Sequence, residues 1–133
     1  MLNELAKEIH ENAVAHGWWE EERKFEEIIA LCHRELSEAL IEYQTEEQKF
    51  YCYLCMRLGE YTDGADECLK CYKEGLDNGN LPGMPGGIAT EMADCIIRIL
   101  DWCGHEGIDI DQIIKIKMEY NKTRPYRHGG KQL

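Results

Sequence analysis

Residues 21–44 constrain the fold most, because their apolar side chains recur at helical spacing for about six turns. Phe25, Ile28, Ile29, Leu31, Cys32, Leu36, Ala39, Leu40 and Tyr43 carry the pattern. A stripe of that length must lie against another apolar surface. The chain offers more helices to supply one. Leu2, Leu5, Ile9 and Ala13 mark a face over residues 2–16, which Gly17 interrupts before a short connection through Trp18 and Trp19. Ile88, Met92, Cys95, Ile96, Ile99 and Leu100 line a helix from Ile88 to Cys103, with Gly104 and Gly107 read as its end. Asp109, with Gln112 three residues on, reads as the capping box of a last helix. That helix runs to about Thr123, since Pro125 disfavours helical geometry in the residue before it. Residues 46–58 can form a separate helix, and the glycine-rich stretch 59–87 reads as loop with one short helix near 65–75. No strand-like alternation or internal repeat stands out. The expectation is an all-α chain, a four-to-five-helix bundle in one domain spanning 1–133. Residues 46–85 form an insertion or loop, and 125–133 a basic tail.

A chain of 133 residues, 44% hydrophobic and 31% charged, is long enough for its own core and unlike a disordered tail. The densest apolar run, CIIRIL at 95–100, is broken by Arg98 and far too short for a membrane span. The first 30 residues lack a signal-peptide core, so a cytoplasmic protein is expected. A net charge of −11 argues against a protein that grips a nucleic-acid polymer. From Lys115 to Lys131, however, six Lys/Arg face one acid, Glu119. An acidic body with a basic C-terminal segment suits a small anionic ligand bridged by cations. Basic residues answering a helix dipole explain part of the same bias.

Two acidic pairs stand out against the apolar pattern. HRELSEAL, residues 33–40, carries Glu35 and Glu38, and EMAD, residues 91–94, carries Glu91 and Asp94. Residues three apart share a helix face, so each pair presents two carboxylates side by side. Such pairs are ordinary on solvated amphipathic helices. If the two faced one another, they would repel unless a cation lay between them. Oxygen-only ligands select hard divalent ions, Mg²⁺ or Mn²⁺. On the last helix Lys117, Asn121 and Arg124 fall at i, i+4 and i+7, a line able to hold phosphate oxygens, or else a solvated basic face.

ELSE at 35–38, EMAD at 91–94 and KMEYNKTRPYRHGG at 117–130 together resemble the MazG-like all-α nucleoside triphosphate pyrophosphohydrolases, relatives of dimeric dUTPases and dCTP pyrophosphatase. The resemblance covers roughly residues 1–45 and 86–130, and the last segment is its most specific part. It implies that Glu35, Glu38, Glu91 and Asp94 ligate Mg²⁺, with Glu35 or Glu38 activating water. Lys117 and Asn121 would face the triphosphate, helped by Arg124, and Trp19 and His10 would meet the base. The implied reaction splits a nucleoside triphosphate between its α and β phosphates, releasing monophosphate and pyrophosphate. Family members are commonly dimers or dimer-based tetramers, so a homodimer or homotetramer is implied. Two departures stand beside it. The 52 residues between Glu38 and Glu91 are more than the family commonly has, and Arg98 occupies a position where some relatives carry a base-touching aromatic.

The extra length holds CYLC at 52–55 and CLKC at 68–71. Cys52, Cys55, Cys68 and Cys71 are spaced to close a tetrahedral zinc site, though neither pair has the glycine or proline usual in a zinc knuckle, and buried or loop thiols read equally well. The odd total of seven cysteines points to reduced thiols rather than a secreted disulfide framework. A zinc-stapled helical interaction module without catalysis is therefore the competing function. A ferritin-like oxidase is disfavoured, because no histidine lies three after Glu35, Glu38 or Glu91.

Overall fold

The computed structural model describes residues 1–45, 51–52 and 85–127. Within them the chain forms four α-helices, α1 (Leu2–Ala15), α2 (Phe25–Thr45), α3 (Ile88–Glu106) and α4 (Ile110–Thr123). Two short strands, β1 (Tyr51–Cys52) and β2 (Pro85–Gly86), pair antiparallel with Tyr51 opposite Gly86 and Cys52 opposite Pro85. The architecture is mostly helical, as the periodicity predicts. A two-residue ladder is too short to produce strand alternation in sequence, which is why none was legible. Among the described residues no helix is long and apolar enough to cross a membrane.

The chain divides into two compact units, Met1–Glu22 with Leu100–Leu133, and Arg23–Ile99. In the first, α1 and α4 cap one another. Asp111 accepts hydrogen bonds from the backbone N–H groups of Leu2 and Asn3 and from the Met1 amine, each at 3.0 Å. These are donors that the start of a helix leaves without intrahelical partners. Asp109 is the N-cap of α4 and accepts from the Gln112 N–H at 3.1 Å, as the capping-box spacing predicts. The donors hold both aspartates below the usual carboxylate range.

Gly104 does not end α3. It lies inside the helix, at a place where a Cβ would come within 2.6 Å of the Ala6 carbonyl oxygen and 2.8 Å of the His10 Cβ. The small side chains of Ala6 and Cys103 are buried in the same unit. Gly107 supplies the stop. At φ +66° it adopts the left-handed conformation, and Ile108 N–H reaches back to the Cys103 carbonyl at 3.0 Å while Gly107 N–H reaches Gly104. This pattern of return bonds closes a helix C-terminus. Gly17, at φ +82°, closes α1 with equivalent bonds to Ala13 and Val14.

In the second unit α2 buries Ile28, Cys32, Glu35 and Ala39. Their spacing of three or four residues makes one continuous stripe, so Glu35 occupies a core position rather than an edge. The start of α3, with Cys95 buried, belongs to the same unit. Among the described residues Cys32, Cys95 and Cys103 are free thiols and buried. Burial, and for Cys32 the neighbouring Cys95, push the thiols of Cys32 and Cys103 up.

Candidate metal centre

The acids of ELSE and EMAD meet within the second unit. One carboxylate oxygen from each of Glu35, Glu38 and Glu91 lies within 4.8 Å of the others. Trans oxygens of a Mg²⁺ octahedron are about 4.2 Å apart, twice the metal–oxygen distance. The three glutamates are thus near the spacing at which one small ion is shared, and an all-carboxylate donor set suits a hard divalent cation. Glu35 is the anchor, only 4% exposed, while Glu38, Glu91 and Asp94 are half-buried. Asp94 stands outside the converging trio but feels it, since Glu35 and Glu38 both raise its pKa.

The electrostatics record the crowding. Glu91 lies in the first turn of α3, where the helix dipole favours an ionised carboxylate. Burial, then the charges of Glu38 and Asp94, overcome that preference and push Glu91 up to about 7. Burial raises Asp94 too, followed by Glu35, with Arg98 partly offsetting them. Glu38 goes the other way. The Arg34 guanidinium, whose Nε–H donates to Glu38 Oε1 at 2.9 Å, holds it below the usual range, and a hydrogen bond with Glu91 adds to the effect. Glu91 therefore carries the proton of this carboxyl–carboxylate pair. The second cation is Arg98, whose Nε–H donates to Glu35 Oε1 at 2.6 Å. By charge count the guanidiniums of Arg34 and Arg98 do not balance the four carboxylates.

No protein-family model matches the chain, and neither a curated protein nor a solved structure does.

Arg98 is the residue whose role the sequence reading missed. In sequence it stands out as a break in an apolar run and as a departure from an aromatic position, yet it binds the buried glutamate. Its spacing held the signal, because Glu91, Asp94 and Arg98 fall at i, i+3 and i+7 and share one helix face.

His10 and Trp19 lie in the first unit, in a cluster built on Asp101. The Trp19 indole N–H donates to both oxygens of Asp101, at 3.0 and 3.1 Å, and His10 Nδ1 lies 2.8 Å from Oδ1. Trp19 stacks on His105 with ring centroids 4.0 Å apart and planes 10° from parallel, and His10 meets both rings edge-on. Each polar atom of the Trp19–Asp101 contact is thus engaged within the cluster. Asp101 and His105, one turn apart on α3, were not singled out from sequence.

Lys117 and Asn121 are exposed on α4, which buries no residue. The Lys117 ammonium lies 4.7 Å from the Tyr120 ring centroid, and the Arg124 guanidinium 5.9 Å from it. Arg124 is the C-cap, extended at φ −73° and ψ 144° as a residue before proline requires. These three residues belong to the first unit and the carboxylates to the second. Of the four cysteines spaced for zinc, Cys55, Cys68 and Cys71 lie outside the described residues, and Cys52 is described only as part of β1.

Proposed function

We propose that this chain is a Mg²⁺-dependent nucleoside triphosphate pyrophosphohydrolase of the MazG-like all-α type, acting in nucleotide-pool cleaning in the cytoplasm. The convergence of Glu35, Glu38 and Glu91 oxygens within 4.8 Å carries the reading. The motifs ELSE, EMAD and KMEYNKTRPYRHGG support it independently, because the same residues are the ones that the resemblance makes functional.

Bound Mg²⁺, or Mn²⁺ in its place, would supply Lewis acidity toward the phosphate oxygens. The chain's own residues do the rest. Glu35, Glu38 and Glu91 hold the ion, with Asp94 beside them. Glu35 or Glu38 orients a water and accepts its proton as the oxygen adds to the α-phosphorus. The bond from that phosphorus to the bridging oxygen breaks, and pyrophosphate leaves. The resemblance would give the departing phosphates to Lys117, Asn121 and Arg124, and the base to His10 and Trp19, all residues of the first unit. The chain works as a homodimer or homotetramer, a reading supported by the exposed apolar residues Leu36, Leu40 and Tyr43 on α2.

The test is a panel of canonical, deoxy and oxidised nucleoside triphosphates with Mg²⁺, scored for pyrophosphate. Release from at least one of them, abolished by chelator, is the expected result. Absence of pyrophosphate across the panel would reject the activity and leave the interaction-module function. Light scattering on the same preparation reads the oligomer.

A further inference from the structure

Arg98 follows Asp94 by one turn of α3 and reaches the most enclosed acid of the centre, Glu35. A buried carboxylate deprived of its partner is strongly disfavoured, so this contact is not easily given up. The Arg34–Glu38 pair differs. It joins two residues on the same helix, with Arg34 well exposed, and such pairs are readily screened.

The four acids therefore divide. Glu35, Glu38 and Glu91 converge closely enough to share an ion. Glu35 already has the fixed positive charge of Arg98, one turn beyond Asp94 on α3. Charge balance points the same way. Four carboxylates against the guanidiniums of Arg34 and Arg98 leave two negative charges, which one divalent ion neutralises. A second ion would make the cluster positive unless both guanidiniums withdrew, and Arg98, unlike the exposed Arg34, is held on the buried Glu35. Resting on the function proposed above, we infer that Arg98 takes the place of a second divalent ion, so that this centre holds one ion per chain. Arg98 is then a positioning residue, setting the ion count and the aim of Glu35 without touching substrate.

Mn²⁺ binding to the full chain without nucleotide, counted by electron paramagnetic resonance of the unbound ion, tests this. Wild type should bind one ion. Arg98→Met should bind two, the second weaker by about tenfold because the first already neutralises most of the charge. Asp94→Asn should still bind one, losing no more than about a hundredfold in affinity, the upper edge for groups that support a ligand without being one. Two ions in wild type, or one ion in a folded Arg98→Met protein, would overturn the inference and leave the centre standing. If Arg98→Met does not fold, Asp94→Asn decides, and a loss well beyond about a hundredfold overturns the inference because Asp94 then ligates the single ion. No ion in any of these proteins removes the centre and the inference together.

Discussion

Asp101 and Glu91 are half-buried acids on the same helix, ten residues apart, yet their surroundings are opposite. Asp101 is met by donors, the Trp19 indole N–H on both oxygens and His10 Nδ1 at 2.8 Å. Glu91 is met by other acids, and burial first, then the charges of Glu38 and Asp94, push it up to about 7. An acid satisfied by donors stabilises a fold, because removing it strands them. An acid held among acids destabilises the fold unless something positive arrives. Asp101 therefore reads as structure and Glu91 as function, although both are single carboxylates in amphipathic helical sequence.

Mutation can break that contrast. The largest effect belongs to Glu38, which stays ionised beside Arg34 and is placed to take a proton from water. Glu38→Gln should lower pyrophosphate release by about a thousandfold, within the range for loss of a general base, with an unchanged helical spectrum. Near-normal turnover would remove Glu38 from the site. Next comes a crossed pair. Glu91→Gln should weaken Mn²⁺ binding by more than about a hundredfold, beyond the range for groups that only tune a metal site, while raising the urea midpoint of the chelated protein. Asp101→Ala should do the reverse, costing about 2–3 kcal/mol of stability as donors lose a charged acceptor, with Mn²⁺ affinity unchanged. If both variants lost stability and neither lost the ion, the distinction between the two acids would fail.

The contrast also explains what sequence could and could not disclose. Periodicity located all four helices of the described residues, because an apolar stripe must be buried whatever it meets. It also placed Glu35 beside that stripe, though not within it. Buried Ile28, Cys32 and Ala39 make a core register that Glu35 joins at the same spacing. Gly104 was misread as a stop because a glycine near a helix end has two uses. Here the deciding fact is the Ala6 carbonyl, 98 residues away in sequence, against which any Cβ would clash. Asp101 was invisible for a similar reason. Its partners come from α1 and from the connection after it, so only tertiary contact separates it from a surface aspartate. Arg98 was visible in position and not in partner.

The smallest predicted effect is a pH dependence, and it follows from the sign of the Glu91 shift. In an unfolded chain a glutamate releases its proton near 4.5, whereas folded Glu91 holds it to about 7. Between those values the folded protein binds more protons than the unfolded one, so stability falls as pH rises. Above about 7 this contribution is flat and fully lost. Asp94, also raised, adds to the decline in the same direction. Glu38, Asp109 and Asp111 are lowered, so the stability they contribute is present above the ordinary carboxylate range and lost only as pH falls below it. Chelated protein should therefore show a urea midpoint that peaks in mild acid and declines toward pH 7.5. Saturating Mg²⁺ should remove the decline, because the ion supplies the charge that the proton supplied, and Mg²⁺ affinity should climb over the same interval. A midpoint equally pH-dependent with and without Mg²⁺ would mean that the proton on Glu91 and the ion do not compete, and that the crowded acids are no more functional than Asp101.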